Sequence, residues 1–201
     1  MKHFAEDEIE AAAQVLRNDG CIAAATDTVY GVCARLSEKA QAKLYEVKQR
    51  PKSKRFPVMC ADYEQLQTIA ELNPMAEAVV KRFMPGPMTV ILKKKAVIGD
   101  ALSGGDTLAI RLATSGQLKQ LITLTGTPLF MTSANQSGMP ECTTEPQIEE
   151  ACPKLDGILA GTINYSRAST IVDCTGDVPL IVREGPITAE QINQALREER
   201  E

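Results

Sequence analysis

Short apolar runs that end in small or polar residues recur along this chain: "CIAAAT" (21–26), "FPVMCA" (56–61), "MTVIL" (88–92), "LAIRLA" (108–113), "PLFMTS" (128–133), "TIVD" (170–173) and "LIVRE" (180–184). Stretches of helical periodicity separate them. Residues 5–18 place Ile9, Ala12, Ala13 and Leu16 on one face, with Gly20 as a stop signal. Ser37 opens a helix to about Lys48, Asp62 caps "YEQLQTIA", Asn73-Pro74 starts a helix toward "MPGP", and "SGQLKQLITL" follows "LAIRLA". The chain closes with "TAEQINQALREER", where Thr188 and Gln191 have capping-box spacing. Strands this short, alternating with helices this regular, predict an α/β or mixed sheet covered by helices.

With 201 residues and 44% hydrophobic content, one sizeable core is expected, hence a single domain over 1–201. No window approaches the roughly 18 apolar residues of a membrane span. The N-terminus has acids where a secretory signal would be apolar, so the expected compartment is the cytoplasm. Six cysteines without a CxxC pair lie mostly in or beside apolar runs and read as buried thiols. His3 is the single histidine, expected in a frayed end, which removes Ser-His and Cys-His nucleophilic triads and leaves a metal site without partners. Chemistry must come from Lys, Arg, hydroxyls, carboxylates or backbone.

Against a net charge of −4, "KQRPKSKR" (48–55) gathers five of the 22 basic residues. Prolines at 51 and 57 predict a partly extended loop, and in an extended segment Lys48, Arg50, Lys52 and Lys54 would share one side. Such a stretch is either a solvated loop or an anion site for a triphosphate or an RNA backbone. "MTSANQSG" (131–138) and "ATDTVYG" (25–31) each end an apolar strand in polar, tight-turning residues, where α/β folds bind ligands, although ordinary turns look the same. Arg111 and Arg183 sit in or at the end of apolar strands and need either an acid or an anionic ligand. No Walker sequence is present.

In order, "TDTVYG", "KQRPKSK", "PGPMTVIL", "LAIRLA", "TSANQSG", "STIVD" and "IVREG" closely resemble the YrdC/TsaC family, the threonylcarbamoyl-AMP synthases of tRNA modification, from about residue 8 to 195. The resemblance implies a nucleotidyltransferase that converts L-threonine, bicarbonate and ATP, with Mg²⁺, to threonylcarbamoyl-AMP and pyrophosphate. A separate transferase complex would pass the group to tRNA. It also implies a twisted α/β sheet around a positively charged cavity, with the basic loop as its phosphate-handling wall. By position, Lys48 and Arg50 match a KxR pair with catalytic duty, and Lys54 joins them at ATP. Arg111, Ser133 and Arg183 match further nucleotide contacts, and Asn135 completes the SAN motif. Thr28, Ser169 and the Met131 backbone match contacts to threonine.

Met59 and Ser115 stand where relatives often have histidine, Arg55 and Ala113 where proline is common, and Ala25 replaces the usual proline before "TDT". A contact from Met59 would be apolar, against the threonine methyl, and Ser115 could only hydrogen-bond. The chain ends shortly after the last motif and so resembles the short members, without the extra C-terminal domain. Two rival readings follow. One is an RNA-binding module without catalysis, which the negative net charge and eight aromatic residues disfavour. The other is a carbamoyl-adenylate enzyme with another acceptor, as in the similar domain of hydrogenase-maturation proteins.

Overall fold

The computed structural model describes residues 1–163 and 168–198; the last two residues of the expected C-terminal helix, 199 and 200, lie outside them. The first half runs β1 (Lys2–Phe4), α1 (Ile9–Arg17), β2 (Cys21–Ala25), β3 (Tyr30–Arg35), α2 (Glu38–Lys48), β4 (Val58–Cys60), α3 (Tyr63–Ile69), α4 (Pro74–Phe83) and β5 (Met88–Lys93). The second runs α5 (Asp100–Ser103), β6 (Thr107–Leu112), α6 (Gly116–Thr125), β7 (Leu129–Ser133), α7 (Glu145–Ala151), β8 (Gly157–Leu159), β9 (Thr170–Asp173), β10 (Leu180–Arg183) and α8 (Ala189–Glu198).

Local chemistry accounts for the helix starts. The Ser37, Asp62 and Asn73 side chains accept the amides of Ala40, Gln65 and Ala76, each meeting one donor that a helix start leaves unpaired. Thr188 and Gln191 exchange side-chain and backbone bonds as their spacing requires. Helix α1 differs in its stop: Asp19, not Gly20, takes the left-handed conformation, at φ 60°. Gly20 is needed for closeness instead, because a Cβ there would sit 2.5 Å from Val15 Cγ1.

Ten strands of the described residues form one mixed sheet in the order β1-β8-β2-β3-β7-β4-β6-β5-β9-β10. Side chains alternate across each strand, so each face of the sheet carries its own core. On one face, Ile22, Ala24, Cys33, Leu129 and Leu159 meet Ile9, Ala12, Ala13 and Leu16 of α1 and Leu118, Leu121 and Ile122 of α6. The predicted apolar stripe of α1 is thus the buried one, and a fully buried leucine such as Leu16 contributes about 1.5–3 kcal/mol. On the other face, Val32, Val58, Phe130, Val90, Ile110 and Val172 belong to the larger core.

Three strands were not expected. The chain turns at Thr26–Val29 and returns as β3, antiparallel to β2, with Ala25 opposite Tyr30. β1 pairs in parallel with β8, Lys2 opposite Gly157 and Phe4 opposite Leu159. His3 is therefore no frayed residue: it lies in an edge strand, its ring between Glu145 at 2.9 Å and Glu149 at 2.8 Å. All six cysteines are free and buried, as expected, and burial pushes the Cys21 and Cys174 thiols up to about 12.

Candidate active site

The helical layer of α1 and α6 draws strand residues from β8, β2, β3, β7 and β4, but none from β5, β6, β9 or β10. Beyond its edge, the same face of the sheet floors a cavity of about 240 Å³. Strand pairing sets a row of side chains across that floor: Met59 opposite Arg111, Thr89 opposite Ile171, and Ile171 opposite Arg183. All five line the cavity, while their neighbours Ile110, Val90 and Val172 point into the core on the other face.

The basic loop does not form the extended segment expected of it. Helix α2 carries the chain to Lys48, Gln49 ends it at φ 46°, and the Lys54 amide closes a turn on the Pro51 carbonyl at 2.9 Å. Lys48 lies on the inward stripe of the helix with Gln41 and Leu44, so it sits beneath the site rather than beside Lys52 and Lys54. Arg50 is the cation of this stretch that lines the cavity; Lys52, Lys54 and Arg55 are exposed and do not. Its Nε donates to Lys54 O at 2.9 Å, its Nη2 to Arg55 O at 2.7 Å, and the guanidinium lies 5.0 Å from the Phe56 ring centre. Burial draws the Arg50 pKa below its ordinary value.

Lys48 serves the turn after β7. Its Nζ donates to Ser133 O at 2.5 Å, to Asn135 Oδ1 at 2.8 Å and to Asn135 O. These three acceptors include no carboxylate. Burial lowers the Lys48 pKa to about 8. Ser133 lines the cavity and donates from Oγ to Asn135 Oδ1 at 2.8 Å, and Asn135 Nδ2 donates to Met139 O. Asn135 is itself buried and, like Lys48, is not a wall.

Beside the end of β7, where Gly31 pairs with Ser133, stands the β2–β3 turn. Thr26 Oγ1 donates to Val29 O at 2.7 Å and accepts the Thr28 and Val29 amides, each at 3.2 Å. Arg111 is buried here: Nη2 donates to Asp27 Oδ1 at 2.6 Å and to Gly86 O at 3.1 Å, and Nη1 to Thr28 Oγ1 at 3.1 Å. Of the two partners open to Arg111 from sequence, the acid is present. Arg183 is different, with Nε and Nη2 on Ser169 O at 3.1 and 2.8 Å. Ser169 Oγ pairs with Thr89 Oγ1 at 2.7 Å. Gly185 packs directly on this segment, where a Cβ would meet the Thr170 amide at 2.4 Å.

Eight of the twelve residues implied by the resemblance line this cavity: Thr28, Arg50, Met59, Arg111, Met131, Ser133, Ser169 and Arg183. Lys48 and Asn135 lie behind the wall, Lys54 is exposed, and Ser115 N-caps α6 by accepting the Leu118 amide at 3.1 Å. Thr89, Thr132 and Glu141 line the cavity without having been singled out. Asp27 was read only as part of a turn. Its signal was the buried strand arginine in search of an acid.

These walls, three guanidinium groups and several hydroxyls over a sheet face, define a mixed α/β protein with an open cleft. The chain belongs to the Sua5/YciO/YrdC family, whose model, described as telomere recombination, matches residues 14–185. It is 34% identical over 198 residues to the threonylcarbamoyl-AMP synthase of Pyrococcus abyssi, covering 96% of this chain and 58% of that protein. To the Bacillus subtilis protein of the same name it is 35% identical over 200 residues, covering 95% of this chain and 57% of the relative. The Escherichia coli O1:K1 threonylcarbamoyl-AMP synthase is 35% identical over 170 residues, covering 80% of this chain and 89% of that one. Among solved structures, P. abyssi Sua5 complexed with L-threonine superposes with a TM-score of 0.89 at 33% identity, covering 97% of this chain and 60% of the other. E. coli YciO, at 23% identity, shares the fold with a TM-score of 0.85, covering 95% of this chain and 98% of that chain. The chain thus spans under three fifths of the first two relatives.

Proposed function

We propose that this chain is an L-threonylcarbamoyladenylate synthase, a nucleotidyltransferase that converts L-threonine, bicarbonate and ATP to threonylcarbamoyl-AMP, pyrophosphate and water. The convergence of eight family-implied residues on one cavity, drawn from seven separate segments of the chain, carries this reading. Forming a mixed anhydride at the α-phosphorus requires charge neutralisation and alignment rather than a protein nucleophile, which suits walls of guanidinium and hydroxyl groups.

Bicarbonate loses water to give CO₂, and the threonine amine adds to its carbon and releases a proton. A carbamate oxygen then attacks the α-phosphorus in line, and the bond to pyrophosphate breaks. Arg50 and Arg183 receive the phosphates, with Lys48 holding the Ser133–Asn135 turn from behind. Thr28, Ser169 and Met59 face the amino acid. Lining the cavity, Glu141 would be the protein carboxylate for a Mg²⁺ that arrives on the triphosphate, and Mg²⁺ suits a site with few protein ligands. The product would pass to a transferase complex acting on tRNA in the cytoplasm.

The test is pyrophosphate release by purified protein, with threonine and bicarbonate each supplied or withheld. Release that needs both supports the synthase; ATP binding with no release under any combination overturns it.

A further inference from the structure

We infer that Arg55, seated on Gly104, is a positioning residue that fixes Arg50 for the nucleotide. This deepens the synthase reading and rests on it.

Arg55 is exposed and lies outside the cavity, yet its guanidinium rests on the turn that follows α5. A Cβ built at Gly104 would fall 1.6 Å from Arg55 Cζ, 2.0 Å from Nη1 and 2.1 Å from Nε, inside the guanidinium itself. Gly104 is also left-handed, at φ 67°, where it ends α5 with its amide on Asp100 O at 2.7 Å. Two demands therefore meet in one residue, a positive φ and a surface without a side chain, and glycine satisfies both.

The seat is itself held. Ser103 is buried and donates from Oγ to Gly105 O at 2.7 Å, and Gln41 Nε2 of α2 donates to Leu102 O at 2.7 Å. Gln41 shares the inward stripe of α2 with Lys48, and two residues beyond Lys48 stands Arg50. Arg50 in turn donates to Lys54 O at 2.9 Å and to Arg55 O at 2.7 Å. The contacts close a ring, from α2 through Leu102 and Gly104 to Arg55, and from Arg55 O through Arg50 back to α2. Both acceptors flank the Arg55 Cα, so a rotation of residue 55 moves both. The Tyr45 hydroxyl also reaches Lys54 O, but at 3.3 Å, longer than a good hydroxyl hydrogen bond. The seat on Gly104 is the restraint that acts on the side chain of residue 55 itself. If Arg55 acted on a triphosphate only as a distant cation, its charge would matter and the seat would not.

Calorimetry with ATP and steady-state pyrophosphate release, both on the intact protein, separate these roles. Arg55→Ala should weaken ATP binding and raise the KM for ATP about three- to tenfold, the scale of one hydrogen bond, while the KM for threonine moves less than about twofold. Gly104→Ala evicts the guanidinium and should give the same loss. Added to Arg55→Ala it should cost no further ATP affinity, although alanine at a positive φ lowers the melting temperature in both backgrounds. Arg55→Lys keeps the charge and loses the plane, so it should not restore ATP binding. Full recovery by Arg55→Lys, additive losses in the double variant, equal losses for ATP and threonine, or unchanged ATP binding by Arg55→Ala would each overturn the inference. If Gly104→Ala does not fold, Arg55→Ala and Arg55→Lys, both at an exposed side chain, decide it alone. Wild-type protein that binds ATP but releases no pyrophosphate overturns the synthase reading, and calorimetry still decides the role of Arg55. Wild type that releases pyrophosphate, beside an Arg55→Ala variant that binds ATP equally well, overturns this inference alone. Wild type that binds no ATP overturns both.

Discussion

Arg50 and Arg111 line the same cavity, and they differ in the charge of what holds them. The Arg50 guanidinium is fixed by two backbone carbonyls and the face of Phe56. Arg111 is fixed by the Asp27 carboxylate at 2.6 Å. Both are ordered before any ligand arrives, but carbonyl dipoles orient a cation without neutralising it, whereas a buried carboxylate cancels it. One wall therefore offers an anion a whole charge. The other offers a set of oriented hydrogen bonds.

The largest effect should follow from removing the uncompensated cation. Arg50→Ala is expected to lower kcat/KM for ATP by about 10²–10³, the scale of losing one group that stabilises developing charge. Arg50→Lys should recover only a fraction, because an ammonium cannot span the carbonyls of Lys54 and Arg55 while facing a phosphate. Steady-state pyrophosphate release measures both, and normal release by Arg50→Ala would erase the distinction between the walls.

Lys48 extends the carbonyl-held class one layer deeper. Lys48→Met leaves Ser133 O, Asn135 O and Asn135 Oδ1 without their donor. Turnover should fall about tenfold, with a smaller change in the KM for ATP than Arg50→Ala gives. Burial has lowered the Lys48 pKa from 10.5 to about 8, so activity that depends on the ammonium should decline as pH rises through about 8. Stability moves the other way. The folded pKa lies below the unfolded one, so between pH 8 and 10.5 the unfolded chain binds more protons, and the stability of wild type relative to Lys48→Met rises across that window. Denaturant titrations on either side of pH 8 read that gap, and a flat alkaline limb in the activity profile would show that the ammonium is not what holds the turn.

Lys48 also illustrates what the sequence could and could not say. Strands β2, β4, β5, β6, β7, β9 and β10 were legible because each is a Val, Ile, Leu or Ala run bounded by turn residues, and helices α1, α2, α3, α4, α6 and α8 from periodicity or caps, whereas the short α5 and α7 were not read. β3 was hidden because "GVCAR" lacks such a run and follows a Thr-Asp-Thr turn rather than a typical hairpin pair. β1 and β8 have three residues each, and their pairing joins Lys2 to Gly157 far along the chain, so no local signal marks them. At the site, motif order picked out eight residues that line one cavity, but a linear motif treats a string of cations alike. Helix phase separates them: Lys48 continues the stripe of Gln41 and Leu44 inward, and Arg50, two residues later, is already in the loop. The same reasoning applies to Ser115, whose place before "GQL" makes it a helix cap first.

The smallest expected effect comes from a third cation, which has more carboxylate than either arginine and yet should matter least. His3 meets Glu145 and Glu149 through its two ring nitrogens, an arrangement that favours the imidazolium because both nitrogens must then donate. The bond to Glu145, then that to Glu149, raises its pKa above 6.5. The stabilisation is present below the unfolded value of 6.5 and is lost as pH rises through the higher folded value. Because the site is exposed, solvent screens it, and pyrophosphate release by His3→Gln should stay within about twofold of wild type. As the single histidine of the chain, His3 gives one imidazole resonance in a proton NMR titration, and its midpoint should lie above 6.5 and fall in both Glu145→Gln and Glu149→Gln. A midpoint at or below 6.5 would mean that exposed carboxylates do not hold this ring. Of the three cations compared, compensation by charge would then belong to Arg111 alone.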